Sequence, residues 1–289
     1  MKPESLGEVT EMLARDGYVS DPAVSMSLFL SLRMRRPLFL EGAPGVGKTE
    51  IARVLSHAFE TELIRLQCYE GLDVHHALDE WNYPRQLLKL QAGHSDDLGS
   101  IYSDEYLLKR PLLQAIDPAR QRSPVLLIDE IDRADEEFES FLLELLGDFQ
   151  VTIPELGRIE AAHLPIVILT SNRTREIHDA LKRRCIYCWI DYPSLDKERS
   201  IVSMKVPALA DHVRENVVAF VQRLRREDLI KPPGIAETLD WAEALMHLGV
   251  AELQTETVRQ TLGVLLKNQD DISVVEGLLA DEAWVAQAG

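Results

Sequence analysis

Apolar residues in this chain occur in two patterns: short unbroken runs up to about residue 190, and helical spacing along the whole length. The runs Leu38-Phe39-Leu40, Leu63 to Cys68, Val125-Leu126-Leu127-Ile128, Pro165 to Thr170 and Ile186 to Ile190 are too short for buried helices and read as strands of a sheet covered on both faces. Helical segments separate them. Ser5 to Arg15 is amphipathic and closed by Gly17, and Asp21-Pro22 opens a helix through Leu32 that Pro37 ends, with an N-cap followed by proline at the first helical position. Ile51, Val54, Leu55, Ala58 and Phe59 share one helix face. Phe138, Phe141, Leu142, Leu145 and Leu146 make a core stripe stopped by Gly147.

Three stretches break this alternation. Tyr69 to Ser103 is polar and irregular and exceeds an ordinary connection, so it reads as an insertion with a task of its own, leading into a helical run around Glu105 to Ile116. Phe149 to Ile153 and Arg158 to Ala162, joined by Pro154-Glu155-Leu156-Gly157, read as a hairpin. Beyond Tyr192-Pro193 strand-like runs cease, and helices are expected over Leu195 to Met204, Ala208 to Leu229, Ala236 to His247, Thr255 to Lys267 and Val274 to Ala286. The expected division is an α/β domain over residues 1–192, with the insertion 69–103 and the hairpin 149–162, and a helical domain over 193–289.

The candidate chemistry gathers at strand ends. Leu38-Phe39-Leu40 runs into Gly42-Ala43-Pro44-Gly45-Val46-Gly47-Lys48-Thr49-Glu50 and then a helix. Strand, glycine-rich loop, helix is the context that a phosphate-binding P-loop requires. Glycines let successive N–H groups turn toward phosphate oxygens, and the helix N-terminus adds partial positive charge. Lys48 is expected on the β- and γ-phosphates of ATP and the Thr49 hydroxyl on Mg²⁺. The run Val125 to Ile128 ends in Asp129-Glu130, 81 positions after Lys48. Beside the first strand it would bring Asp129 to the Mg²⁺ shell and leave Glu130 to polarise a water for attack on the γ-phosphate. Asn172, at the tip of another strand, is either a hydrogen-bond partner of that water or phosphate, or a cap for the following helix. Lys182-Arg183-Arg184 is either a cationic helix C-terminus or an arginine supplied across a subunit boundary.

Charge and cysteines narrow the field. The 48 acidic against 31 basic residues give a net charge of -17, which argues against non-specific nucleic-acid binding as the main task. No apolar run nears the roughly 18 residues that cross a bilayer, and the acidic N-terminus is unlike a signal peptide; a cytoplasmic protein is expected. Cys185 and Cys188 form a CxxC, but they lie in a strand-like run that turns the thiols to opposite faces, and no second pair completes a zinc site. No structural metal is assigned.

Together the P-loop, the Asp-Glu strand, the Asn-ended strand, the basic pair and the helical tail resemble an AAA+ ATPase over nearly the whole chain. The segments GYVSDPAVSMSLFLSLRMRRPLFLEGAPGVGKTEIA, CYEGLDVHHALDEWNYPRQLL and EIHDALKRRCIYCWIDYP are similar to the MoxR group. Within it they are most similar to CoxD-type proteins associated with aerobic carbon monoxide dehydrogenase and related molybdenum hydroxylases. The resemblance implies a three-layer P-loop core with a helical lid, assembled as a homo-oligomeric, usually hexameric ring that remodels a protein client. A metalloenzyme client and a separate von Willebrand factor A domain partner are implied with it. By position Lys48 and Thr49 match Walker A, Asp129 and Glu130 Walker B, Asn172 sensor 1, and Arg183 or Arg184 the trans-acting finger. The insertion and the hairpin match elements that face the ring centre, making Trp81, Tyr83 and Leu156 candidates for client contact. One departure is visible: Gly234-Ile235-Ala236-Glu237 stands where many relatives carry a γ-phosphate-sensing arginine, so no sensor 2 residue is assigned. The alternative function is a nucleotide-gated switch with slow turnover, against which Glu130 argues.

Overall fold

The computed structural model describes residues 3–91, 102–153 and 156–280. They form two compact units. The larger comprises the N-terminal segment through Asp16, Ser20–Glu41 and Thr49–Trp189; the other comprises Gly17–Val19, Gly42–Lys48 and the chain from Ile190 onward.

The larger unit opens with α1 (Leu6–Arg15), capped by the Ser5 hydroxyl on the Glu8 N–H, and α2 (Pro22–Met34), with proline at the first helical position. Five apolar runs become one sheet: β1 (Leu38–Gly42), β2 (Leu63–Gln67), β5 (Val125–Asp129), β8 (Ile166–Ser171) and β9 (Ile186–Ile190), in the order β2-β5-β8-β1-β9. The pairs β1/β8, β2/β5 and β5/β8 are parallel. Sequential strands are therefore not all neighbours, and the helix α3 (Glu50–Ala58) is part of the crossover from β1 to β2. The register sets Gln67 opposite Asp129 and Ile128 opposite Leu169, so the polar C-terminal ends of β2, β5 and β8 lie side by side. Phe39, Leu126, Ile128, Leu169 and the stripe of α7 (Glu136–Asp148), led by Phe138 and Leu142, make the core.

Three expectations need correction here. Residues following Tyr69 are not irregular: Asp73 caps α4 (Val74–Leu78), β3 (Asp79–Trp81) follows, and α5 spans Tyr83–Gln91; the rest of the expected insertion up to 101 lies outside the described residues. The run from Glu105 is not one helix, because β4 (Leu107–Lys109) pairs antiparallel with β3 and a separate α6 (Pro111–Ala115) starts at Pro111. Strand pairing there overrides a local helical pattern. Gly147 does not stop α7; the helix continues to Asp148 and closes with Phe149 in the left-handed region (φ 50°), its N–H bonded to the Leu145 carbonyl at 2.8 Å. The hairpin forms as β6 (Gln150–Ile153) and β7 (Gly157–Glu160).

α8 (Asp179–Arg184) leads into β9, and the second unit carries α9 (Leu195–Lys205), α10 (Asp211–Leu224), α11 (Ile235–His247), α12 (Thr255–Leu265) and α13 (Gln269–Leu278). Its own core is built on Val217, Phe220, Trp241, Leu245 and Leu262. Two helices differ from expectation. α10 ends at Leu224, five residues early, and the last helix begins at Gln269, where Asn268 accepts from the Asp270 and Asp271 N–H groups. The expected extension to Ala286 lies partly outside the described residues. No helix among the described residues is long and apolar enough to cross a membrane.

Candidate functional site

Four of the residues singled out in the sequence meet in the larger unit. Asp129 ends β5 and is buried. Its Oδ1 accepts the Thr49 hydroxyl at 3.0 Å and the Thr170 hydroxyl at 2.5 Å, while Oδ2 accepts Arg65 Nε at 3.1 Å and Nη2 at 2.6 Å. Glu130 follows in the left-handed region (φ 55°), a conformation that costs free energy for a residue with a side chain and that tends to mark functional positions. Its backbone and both carboxylate oxygens have partners: its N–H donates to Thr170 Oγ1 (2.9 Å), Oε1 accepts Asn172 Nδ2 (3.2 Å), and Oε2 accepts Gln67 Nε2 (3.0 Å) with Arg133 Nε 3.8 Å away. Asn172 is thus a partner of Glu130 and not a helix cap; the cap of α8 is His178. Buried Asp132 fixes the backbone there, accepting from the Asn172 and Thr174 N–H groups and from the Thr174 hydroxyl at 2.7 Å.

The glycine-rich loop Gly42–Lys48 belongs with the second unit. A Cβ on Gly42 would lie 2.0 Å from the Ile190 carbonyl oxygen, so only glycine fits there, and Gly45 and Gly47 have φ of 73° and 91°. Lys48 is buried, with Nζ on the carbonyls of Gly42 (2.8 Å) and Ala43 (2.7 Å). The N-terminus of α11 meets this loop: the Ala236 N–H donates to the Gly45 carbonyl at 3.1 Å. Glu237 stands at the place the sequence indicates, its Oε2 accepting the Gly234 N–H at 2.9 Å and so capping its own helix. Glu50, at the start of α3, pairs its carboxylate with Arg53.

The two candidate arginines have different surroundings. Arg184 donates from Nη1 to the Leu143 carbonyl of α7, and a Cβ on Gly147 would meet that guanidinium at 2.4 Å. The Arg183 side chain is exposed and has no hydrogen-bond partner among the described residues. The carbonyls at the end of α8 are satisfied by Arg36, which donates to those of Arg183, Arg184 and Cys185. Cys185 and Cys188 are both buried, and burial pushes the Cys185 thiol up to about 12. Of the candidate client contacts, Tyr83 is exposed, whereas Trp81 stacks edge-on against Tyr102 and packs on the core together with Leu156.

Sequence reading missed Arg65, Gln67, Thr170 and Glu41. Buried Glu41 accepts the Tyr187 hydroxyl at 2.8 Å. The signal for the first two was available in the alternation of β2, where Ile64 and Leu66 are buried and Arg65 and Gln67 are exposed.

Thr49 and Asp129 offer a hydroxyl and a carboxylate oxygen 3.0 Å apart, the hard-oxygen donors that suit a divalent cation such as Mg²⁺. With its glycine-rich loop, parallel sheet and paired acids, the molecule has the AAA+ form of the P-loop fold. The chain belongs to the dynein-related subfamily of AAA domains, whose family model matches residues 37–185, more than half of it. It is similar to the chaperone protein ClpB of Chlamydia trachomatis, with 26% identity over 246 residues that cover 81% of this chain and 24% of that one. The chain therefore spans about a quarter of the ClpB length. An uncharacterized protein of Staphylococcus haemolyticus is 26% identical over 244 residues, covering 82% of this chain and 86% of its own. Among solved structures, two variants of Thermotoga maritima RuvB align over 94% of this chain, and over 74% and 75% of theirs, with TM-score 0.50 and 18% and 19% identity. That likeness is one of fold.

Proposed function

We propose that this chain binds Mg²⁺ and ATP, hydrolyses the nucleotide, and uses the cycle to remodel a protein client. The observation that carries the reading is the pair of acids at the end of β5. Asp129 shares a hydrogen bond with the Thr49 hydroxyl at 3.0 Å, and Glu130 is aimed by Asn172 at 3.2 Å. In this reading Gly42 to Lys48 would cradle the phosphates, with Lys48 as their cation. Thr49 and Asp129 would hold Mg²⁺, which would supply neutralisation of charge on the phosphates. Glu130 takes the proton of the attacking water, with Asn172 fixing the carboxylate through Oε1.

The narrower reading is a cytoplasmic MoxR-type, CoxD-like chaperone that works as a hexameric ring. Its client would be a molybdenum hydroxylase such as carbon monoxide dehydrogenase, matured with the help of a separate von Willebrand factor A domain protein. The segment resemblance supports it, and the relation to ClpB, named as a chaperone, supports its chaperone part alone. Exposed Tyr83, Leu87 and Leu88 on α5 supply apolar surface of the kind a client contact uses. Arg183, exposed and without a side-chain hydrogen bond among the described residues, suits the finger role better than Arg184.

The test is Glu130→Gln. Retained ATP binding with turnover reduced by about 10²- to 10⁴-fold, the scale of a lost general base, supports the reading. Turnover at the unaltered rate rules Glu130 out as the base.

A further inference from the structure

One cation beside Asp129 takes no part in the chemistry above. Arg65 lies on β2, two residues from Gln67, and places Nε and Nη2 on Asp129 Oδ2 at 3.1 and 2.6 Å. The same Nη2 meets Gln67 Oε1 at 2.6 Å, and Gln67 Nε2 reaches Glu130 Oε2 at 3.0 Å. With Thr49 and Thr170 on Oδ1, each carboxylate oxygen of Asp129 accepts two donors. That is the full capacity of an ionised carboxylate. A metal ion can reach this group only by displacing a donor.

Arg65 is the donor built to leave. Thr170 is buried and also receives the Glu130 N–H, so moving it would orphan a backbone donor. The Thr49 hydroxyl has lone pairs left for a metal and need not depart. The Arg65 side chain is 54% exposed against 5% for Asp129, so its guanidinium has water to enter and loses little on release. A divalent cation and a guanidinium on one carboxylate oxygen repel each other.

We propose that Arg65 is a resident counter-ion for Asp129, holding the carboxylate while no metal is present, and that a divalent cation must displace it to bind. Arg65 thereby sets the metal affinity. It keeps the affinity for free metal low and leaves tight binding to metal that arrives with phosphate ligands. The inference rests on the reading of Asp129 as a metal-binding residue. Arg65 is then a positioning residue, since it acts through Asp129 and touches no reacting atom. A simple structural brace predicts the opposite sign: its removal would loosen the site and weaken metal binding.

The experiment is titration with Mn²⁺ alone, read by the electron paramagnetic resonance of the free ion, on the full chain without nucleotide. Arg65→Gln is expected to bind Mn²⁺ on the order of tenfold tighter than the unaltered protein, the scale of removing one like charge at hydrogen-bond range in a half-exposed site. Arg65→Lys should fall between them. Adding Asp129→Asn to Arg65→Gln should abolish the gain. An affinity unchanged or weakened in Arg65→Gln overturns the proposal. Should that variant fold poorly, the Arg65 Nε–H resonance of the unaltered protein decides. Its protection from exchange should be lost when Mg²⁺ and a non-hydrolysable ATP analogue are added, and persistence overturns the proposal. Mn²⁺ binding that needs Asp129 but ignores Arg65 removes this inference alone. Mn²⁺ binding with the ATP analogue that is indifferent to Asp129→Asn removes the metal role of Asp129, and this inference with it.

Discussion

Thr170 is the residue through which the two acids of β5 are joined. Its hydroxyl donates to Asp129 Oδ1 and accepts the Glu130 N–H, so one atom positions a side chain and a left-handed backbone. Thr170→Val keeps the shape and removes both bonds. It should lower stability by about 1–3 kcal/mol, the cost of orphaned buried polar groups, and reduce turnover more than nucleotide affinity; urea denaturation and steady-state kinetics check both. Cys68, just past β2, sets a pH limit. Burial first, and then Asp129, Asp132 and Glu130, raise its thiol from the ordinary 9.0 to about 12, and burial raises Cys185 to the same value. The folded state keeps protons that the unfolded chain releases, so the stability that goes with them is complete below about pH 9 and is lost as pH rises toward 12. The urea midpoint should fall between pH 8.5 and 11, and less steeply in Cys68→Ala; an equal slope in that variant would refute the assignment. Lys48, Thr49, Asp129, Glu130 and Asn172 were legible because each sits at a fixed offset from a strand run. The alternation of β2 marks Arg65 and Gln67 as a polar face, but the contacts of Arg65, Gln67 and Thr170 were not legible, because they depend on which strands are neighbours, and in this sheet sequence order and spatial order differ.

At the scale of elements, periodicity found the five strands and most helices, and it failed where pairing between distant segments decides. β3 and β4 are three residues each, and neither would be stable alone; they exist because Asp79 to Trp81 meets Leu107 to Lys109. Gly147 misled for a related reason. Its missing Cβ makes room for Arg184, which is a contact between helices and not a stop signal. Among the described residues of the second unit, the most deeply buried ion pair sits at a junction of elements. Glu198 of α9, fully buried, accepts Arg225 Nη1 and Nη2 at 2.7 Å and the Thr238 hydroxyl at 2.7 Å, while Arg225 Nε donates to the Pro233 carbonyl at 2.7 Å. The network ties α9, the end of α10 and the start of α11, whose first turn meets the glycine loop. Arg225→Met leaves a buried carboxylate unpaired and should cost about 3–5 kcal/mol, whereas Glu198→Gln combined with Arg225→Met should recover much of that loss. Chemical denaturation of the two variants measures the difference, and equal losses would show that packing, not charge, holds the junction.

For the whole molecule the open matter is whether one chain suffices for catalysis. The acids and the amide proposed to hold metal and orient water lie in one chain, and the cations recorded beside them are Arg65 on Asp129 and Arg133, whose Nε is 3.8 Å from Glu130 Oε2. Lys48 is turned onto its own loop and Arg184 onto the Leu143 carbonyl of α7. Charge developing on the γ-phosphate calls for a further cation, and Arg183, exposed at the end of α8, is a candidate to serve a neighbouring copy. A shared site makes the rate per subunit depend on protein concentration, since a chain without a neighbour lacks the cation. The rate should therefore climb with concentration in the unaltered protein. In Arg183→Ala it should drop by about 10³-fold or more, the scale of a trans-acting arginine, at unchanged nucleotide affinity. Arg184→Ala should instead lower the melting temperature, because it frees the Leu143 carbonyl, and leave turnover closer to normal. If the two variants exchange these phenotypes, the arginine assignments are reversed and the ring survives. A rate independent of concentration and untouched by either change would mean that each chain hydrolyses ATP unaided, and the ring would have no part in the chemistry.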